Sequence, residues 1–447
     1  MMNFMKTYPV RQTAITIALI AVALSFAGCD IAFHRHEITP DTFYSDRKVT
    51  ILYSAGKNSI SGALREDIEE LIRYTALHTN DERADALLIY THSYANSSPL
   101  LLYPYRDLFG RTKIDTLVTY PKETISASSK TLNEVLNYIR DNFPADEYGM
   151  IFSSHATGYL PAGYYSNSKV YEQQGNSPRY RKTDICSHPE SVPFKEKEHI
   201  PGTPMTRSIG QDRDGRNGYE MQIEDFAQAI PMKLKYIVFD CCLVSGIETA
   251  YQLRDKTEYI VASPAEVLAD GMDYKSMVRF LQNRPYADLK GLCSNYFEHY
   301  NRLEGAYRSA TIALTDCSAL EELASVCRNL FEKYRNNLDS ISPDDVQQYY
   351  SYDYHWFYDL LSIVEHLGCT SEEMDEFKAA LDRCVIYKAA TETFLASRPD
   401  NPYPGFVIST YCGLSMYLPA HQGAYGNSYL ESYYRELAWN KATALVK

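Results

Sequence analysis

Short apolar runs alternate with amphipathic stretches through the first 285 residues of the chain. Runs of this length without polar alternation are typical of strands that are buried on both faces. The first amphipathic stretch, residues 64–72, places its apolar residues on one side and predicts a helix whose charged residues face outward. The pattern as a whole predicts buried strands at residues 48–53, 86–91, 148–153, 234–239 and 259–262.

Strand, helix and strand recur in that order, which predicts a mainly parallel sheet with helices on both faces. We therefore expect an α/β fold with a core at residues 47–285. Longer helical patterns then dominate residues 286–447, which we expect to be a helical C-terminal part of the same unit, with additional strands at 309–314 and 414–417. Residues 164–218 interrupt the core without any apolar period, and a loop of this length in a compact domain is usually functional or disordered.

Two of the predicted strands end at residues that can carry chemistry. One is followed by Asp240 and the thiols of Cys241 and Cys242, and the other by Ser154 and His155. Ligands bind at the carboxyl ends of strands in open α/β sheets, and a basic partner makes a thiol there reactive. Because one connection separates the two strands, we expect them to lie side by side. An inert buried cysteine and a hydrogen-bonded loop histidine are the alternatives.

The N-terminus has the pattern of a bacterial lipoprotein signal peptide. A positively charged start precedes an uncharged apolar run, residues 14–27, which is too short for a typical membrane span. The run ends in small residues directly before Cys29, an arrangement that resembles a lipobox. We expect removal of residues 1–28, lipid attachment at Cys29, a loose tether over residues 29–46 and a place in the bacterial cell envelope. An ordinary signal peptide cleaved nearby is the alternative.

Composition and charge narrow the class of partner. The chain has 447 residues, of which 45% are hydrophobic and 23% charged, as is typical of a globular protein. A net charge of −13 argues against nucleic acid as a partner and favours basic proteins or peptides. The ten cysteines show no metal-ligand spacing, so we expect no metal site.

The motifs, taken in their order and spacing, resemble the clostripain family of cysteine endopeptidases, which is related in fold to caspases, gingipains and legumain. That family carries a strand ending in His-Gly and a later strand ending in Asp-Ala-Cys, followed by a helix with Ile-Glu. The resemblance covers most of residues 47–420 and implies a caspase-like α/β/α sandwich. The segments that carry it are residues 50–56, 154–156, 240–244, 247–248, 271–274 and 413–417.

The resemblance also implies which residues act. Cys242 matches the nucleophile of the family and His155 its general base, with the backbone N–H groups of Ala156 and Cys242 expected to hold the oxyanion. It further implies cleavage after Arg or Lys, because an acid in the S1 pocket selects a cation. Asp240 is the first candidate for that acid and Asp270 the second, with a surface role as the alternative for Asp270.

Two residues depart from the family pattern. Cys241 replaces the alanine before the nucleophile, and because side chains alternate along an extended strand we expect Cys241 to point away while Asp240 and Cys242 point the same way. Ala156 replaces the glycine after the histidine, and a positive φ there would strain it by about 1 kcal/mol or more. A second hypothesis follows, in which a surface lipoprotein kept the peptidase fold and binds protein or peptide with weak or no cleavage.

The loop at residues 164–218 is rich in Lys and Arg. An enzyme that cleaves after these residues is expected to cut itself there, as the family does during maturation, and an uncut solvated loop is the alternative. Calcium dependence occurs in the family, but the sequence has no EF-hand-like loop and implies no cofactor. We expect a monomer that acts on proteins or peptides. A partner-binding surface on the helices after residue 286 is a third hypothesis.

Overall fold

The chain was analysed in a computed structural model, in which residues 46–447 form one compact unit. The predicted signal sequence, Cys29 and most of the loop at 164–218 lie outside the described residues. These are residues 47–75, 85–93, 97–165, 192–195, 209–214, 217–350, 355–395, 405–419 and 428–447.

Strands and helices alternate along the first half of the chain. In chain order the strands are β1 (Lys48–Ser54), β2 (Ala86–Thr91), β3 (Leu100–Arg106), β4 (Thr112–Thr119), β5 (Glu147–Ser153), β6 (Val192–Lys195), β7 (Ile209–Asp214), β8 (Asn217–Met221), β9 (Leu234–Asp240), β10 (Thr257–Ala262), β11 (Thr311–Asp316), β12 (Tyr358–Asp359), β13 (Val385–Ala390), β14 (Thr393–Phe394), β15 (Phe406–Val407) and β16 (Ser415–Met416). The α-helices are α1 (Ser61–Tyr74), α2 (Ser129–Asn142), α3 (Ile223–Ala229), α4 (Ile247–Leu253), α5 (Tyr274–Leu281), α6 (Leu289–Asn301), α7 (Leu320–Lys333), α8 (Arg335–Leu338), α9 (Leu360–Glu365), α10 (Ser371–Cys384), α11 (Ser428–Tyr434) and α12 (Ala438–Thr443).

A nine-stranded sheet forms the centre of the unit, in the order β13-β11-β10-β9-β5-β1-β2-β3-β4. The inner strands β10, β9, β5, β1 and β2 run parallel. The pairs β11–β13 and β3–β4 extend the two edges in antiparallel fashion. The predicted α/β fold with a mainly parallel sheet is therefore confirmed. The C-terminal part is mainly helical as expected, and it also contributes β11 and β13 to the sheet.

Helices cover both faces of the sheet because alternate residues of the inner strands point to opposite sides. Ile51 of β1 packs in one core with Leu132 of α2, whereas Leu52 packs in the other with Ile68 of α1. Helices α5 and α6 complete the second face. None of the helices in the described part of the chain is both long and apolar enough to cross a membrane.

Two regions differ from the sequence-based expectation. Strands β3 and β4 lie in a stretch for which the hydrophobic pattern predicted no strand. Most residues of β4 are exposed and polar and give no apolar signal. The stretch at 164–218 contains β6 and β7, which pair on either side of β8 in a small antiparallel sheet. This part of the chain is therefore not entirely loop.

Candidate active site

Strands β5 and β9 bring the predicted site residues to one edge of the sheet. They are parallel neighbours, and Ser153 at the end of β5 pairs with Asp240 at the end of β9. His155 and Cys242 each follow two residues beyond these paired ends. The loops that carry the predicted base and the predicted nucleophile therefore leave the sheet side by side, at its carboxyl edge.

The loop of His155 is fixed from two sides. The Nε2 atom of His155 lies 2.9 Å from the hydroxyl of Ser59, and the imidazole is almost completely buried. On the other side, the Gly210 N–H donates to the carbonyl of His155 over 3.0 Å, and the Gln211 N–H donates to the hydroxyl of Ser154 over 3.0 Å. Strand β7, which lies near the end of the basic stretch at 164–218, thus contacts the backbone of the predicted base directly.

The thiol of Cys242 is held by the loop after β10. Its sulfur accepts a hydrogen bond from the Val267 N–H over 3.3 Å and donates to the Val267 carbonyl over 3.6 Å. Burial raises the pKa of this thiol well above its usual range, and the nearby charge of Glu266 raises it further. The Val267 N–H acts in the opposite direction but does not offset them. In this conformation the sulfur is protonated at neutral pH.

Cys241 faces a different part of the fold. Its thiol donates to the carbonyl of Phe152 on β5 over 3.3 Å, and the side chain is 1% exposed. Burial raises its pKa well above the usual range, so it is an unreactive thiol. Both cysteines are free thiols. The argument from strand alternation does not apply to them, because β9 ends at Asp240 and a turn follows.

Backbone strain lies beside Cys242 and not beside His155. Among the described non-glycine residues only Leu243, Leu395 and Ala444 have a positive φ, so Ala156 carries no left-handed strain. Leu243, directly after Cys242, has a φ of 58°. A Cβ added at Gly158, which has a φ of +55°, would lie 2.4 Å from the Leu243 carbonyl oxygen. Gly158 therefore allows the histidine loop to pass against the turn of Cys242, a role the sequence pattern did not indicate.

Asp240 is a buried carboxylate at the end of β9, close to the Cys242 thiol. The hydroxyls of Tyr274 and Ser153 donate to its Oδ2 atom over 2.8 Å and 3.3 Å, and the Met272 N–H also hydrogen-bonds the carboxylate. Gly271 has a φ of +59°, and a Cβ there would lie 2.9 Å from Asp240 Oδ2. Burial raises the pKa of Asp240, while the three donors favour its ionised form.

A second buried acid near Asp240 was not expected from the sequence. Asp67 lies on α1, whose charged residues were predicted to face outward, yet it is only 9% exposed. Burial first and the charge of Asp240 second raise the pKa of Asp67 to about 9. The spacing contains the signal, because position 67 follows Leu64 by three residues and precedes Leu71 by four, on the apolar side of the helix. Asp270, in contrast, is exposed.

The described residues provide no candidate metal centre. No group of three or more His, Cys, Asp or Glu side chains within the described ranges is arranged to hold a metal ion. Buried acids at the carboxyl edge of a parallel sheet are suited to binding a cation. A thiol beside them is suited to attacking a carbonyl carbon.

Comparisons with known proteins agree with this geometry. The family model of the clostripain family matches residues 52–179 and 194–444. The chain is similar to an inactive zymogen C11 protease from Parabacteroides distasonis, with 26% sequence identity over 89% of this chain and 98% of that chain and a TM-score of 0.69. It shares its fold with a secreted C11 cysteine protease from Bacteroides thetaiotaomicron in complex with an irreversible peptide inhibitor, at 21% identity over 89% and 99% of the two chains and a TM-score of 0.68. None of the curated proteins matches the chain significantly.

Proposed function

Because this chain belongs to the clostripain family and is a cysteine peptidase, we propose that it cleaves peptide bonds after Arg or Lys with His155 and Cys242 as its catalytic dyad. The observation that carries the proposal is the paired ending of β5 and β9, which places both loops at one edge of the sheet. The buried carboxylate of Asp240 lies close to the thiol and supports a preference for Arg or Lys before the cleaved bond.

The chemistry starts with transfer of a proton. His155 takes the proton of the Cys242 thiol while the sulfur bonds to the carbonyl carbon of the substrate. The carbonyl oxygen becomes an oxyanion, for which the backbone N–H groups of Ala156 and Cys242 are the proposed donors. The C–N bond then breaks, and His155 gives the proton to the leaving amine. A water molecule deprotonated by His155 attacks the thioester, and the released sulfur regains the proton.

Activation requires a change at the thiol. With its S–H directed at the Val267 carbonyl and its pKa raised by burial, the resting sulfur is a poor nucleophile. We propose that substrate binding separates the sulfur from Val267 and brings the proton within reach of His155. The backbone N–H of Val267, which already contacts the sulfur, is available to stabilise the thiolate as it forms.

Covalent labelling tests the dyad and the basic preference together. The purified protein is treated with peptides that carry an electrophilic ketone after Lys, Arg or Asp, and the labelled residue is mapped by mass spectrometry. We expect Lys and Arg probes to label Cys242 and not Cys241, and labelling to be lost in Asp240→Asn. Labelling by the Asp probe alone, or at Cys241, would contradict the proposal.

We also propose that the enzyme cleaves itself in the basic loop at 164–218. Support comes from β7, the segment just after most of that loop, because Gly210 and Gln211 bond the histidine loop directly. A cut before β7 releases the loop while β7 stays paired with β8. Mass spectrometry of wild type and Cys242→Ala tests this. We expect two fragments from wild type only, and a fully active intact chain would contradict it.

We further propose an exported, monomeric enzyme that is anchored to the cell envelope through lipid on Cys29 and needs no cofactor. Labelling of cells with a fatty-acid analogue is expected to mark the wild type and not Cys29→Ala. Light scattering is expected to give the mass of one chain. Activity after treatment with a chelator tests whether calcium, known in the family, contributes, and we expect no loss.

A further inference from the structure

Asp67 is a second buried acid near Asp240. Asp240 receives hydrogen bonds from Tyr274, Ser153 and Met272, whereas none of the described residues donates one to Asp67. Helix α1, which carries Asp67, packs against α5, which begins at Tyr274. The two acids therefore face the same tyrosine from different elements, and only one of them is stabilised in its charged form.

Tyr296 on α6 provides an independent sign of a ligand site. Its side chain is 2% exposed, and its hydroxyl has no hydrogen-bond partner among the described residues. A buried hydroxyl without a partner costs free energy, so such a group is usually satisfied by ordered water or by a bound ion or ligand. The hydroxyl interacts electrostatically with both Asp240 and Cys242, so it lies near both the proposed pocket acid and the proposed nucleophile.

We propose that Asp67 and Tyr296 complete the S1 pocket with Asp240, and that Asp67 determines specificity by pairing with the cationic side chain of the substrate. This inference rests on the proposed cleavage after Arg or Lys. Two carboxylates and a hydroxyl give a buried cation several acceptors from different directions, more than Asp240 alone provides.

The pairing is coupled to release of a proton. Burial raises the pKa of both acids. In the empty pocket the proton stays on Asp67, because three donors favour the anion of Asp240 and the charge of Asp240 raises the pKa of Asp67 further. A cation in the pocket favours the charged form of Asp67 and expels the proton. Binding therefore tightens as pH rises towards 9. The titratable groups that face Asp67 are Glu66 and Glu70 on its own helix, Asp240, Asp270, Tyr274 and Tyr300.

Competitive inhibition measures this coupling at equilibrium. The probes are n-butylamine and n-propylguanidine, which are the Lys and Arg side chains cut at Cα, assayed against a fluorogenic Lys or Arg peptide from pH 6 to pH 9. For wild type we expect the inhibition constant to fall by up to about tenfold per pH unit over part of this range. For Asp67→Asn we expect the inhibition constant not to change with pH, and the probes to bind at least about tenfold more weakly than to wild type at pH 9. In peptide cleavage we expect kcat to change far less than KM.

Two further variants separate the pocket role from a structural one. Glu69→Gln makes the same chemical change on the exposed side of α1 and is expected to keep the wild-type slope. Tyr296→Phe removes only the hydroxyl and is expected to weaken the probes about three- to tenfold, the effect of one hydrogen bond. This variant also tests the pocket if Asp67→Asn fails to fold.

The outcomes distinguish this inference from the proposed function. If wild type cleaves after Lys and Arg, but Asp67→Asn binds the probes with the same affinity and the same pH dependence as wild type, the inference is overturned and the proposed function stands. If Tyr296→Phe binds the probes as tightly as wild type, the role of Tyr296 is overturned. If wild type cleaves no Lys or Arg peptide, both proposals are overturned together.

Discussion

Replacing Gly158 by alanine tests how closely the histidine loop and the nucleophile turn depend on each other. The left-handed φ of +55° costs an alanine about 1–2 kcal/mol. The added Cβ would lie 2.4 Å from the Leu243 carbonyl oxygen, whereas Cβ contacts under 3.0 Å essentially do not occur. The backbone after Cys242 must therefore move. With a packing cost of about 1–3 kcal/mol, we expect a total destabilisation of roughly 2–5 kcal/mol.

The activity of this variant should fall more than its stability implies. A displacement of order 1 Å at reacting groups costs about 10²-fold in rate, so we expect kcat/KM to fall about ten- to a hundredfold. The assay is kcat/KM on a fluorogenic Lys or Arg peptide, together with thermal unfolding. Measurements at a temperature where every variant is folded separate the two effects.

Matched glycines provide the controls. Gly110 has a φ of +74° with nothing within 4 Å of an added Cβ, so Gly110→Ala carries the strain without the contact. Gly62 lies in α1 with its nearest contact at 3.9 Å and no positive φ, so Gly62→Ala is neutral or stabilising. We expect thermal stability to decrease in the order Gly62→Ala, wild type, Gly110→Ala, Gly158→Ala, with activity lost only in the last. Equal activity in Gly110→Ala and Gly158→Ala would refute the reasoning.

Three other predictions concern charge and hydrogen bonding. Glu266→Gln removes a negative charge that disfavours the Cys242 thiolate, so we expect the pKa of Cys242 to fall. Alkylation of Cys242 by iodoacetamide at pH 8 should then become severalfold faster. An unchanged rate would contradict the effect of Glu266 on the thiol. Ser59→Ala removes the 2.9 Å contact with His155 Nε2 and is expected to lower kcat while leaving KM nearly unchanged, whereas an effect on KM alone would contradict the positioning role. Burial raises the pKa of Glu248 to about 7, above its unfolded value of 4.5. Between these pH values the carboxyl ionises in the unfolded chain before it does in the folded one, so the free energy of unfolding falls as pH rises. We therefore expect the advantage of Glu248→Gln over wild type in chemical unfolding to grow from pH 5 to pH 8, up to about 3 kcal/mol, and no change with pH would be contrary evidence.

The strand ends were the part of the site that the sequence predicts best. Strands β5 and β9 are continuous apolar runs, and the residues just after them can be read directly from the chain as candidates for chemistry. His155, Cys241 and Cys242 became candidates in this way, and the choice of Cys242 over Cys241 came from the family resemblance. Strand β4 was missed for the opposite reason, because an edge strand with exposed polar residues has no apolar period to detect.

Contacts between residues far apart in the sequence were harder to predict. Asp67 lies on the apolar side of α1, but a charged residue is normally expected to face solvent, and its burial near Asp240 is visible only in the folded chain. Gly158 is one of many loop glycines until the turn at Leu243 is seen against it. The contact of Gly210 with His155 depends on how the chain returns after the long basic loop, which no local pattern records.

The central claim is that Cys242, assisted by His155, cleaves after basic residues. Turnover of four fluorogenic peptides that differ only in Arg, Lys, Asp or Asn before the cleaved bond tests it most directly, with Cys242→Ala, His155→Ala and Cys241→Ala measured alongside wild type. We expect wild type and Cys241→Ala to cleave the Arg and Lys peptides, and the other two variants to cleave none. Cleavage that survives in Cys242→Ala, or a wild type inactive on all four peptides after the basic loop is cut, would contradict the account.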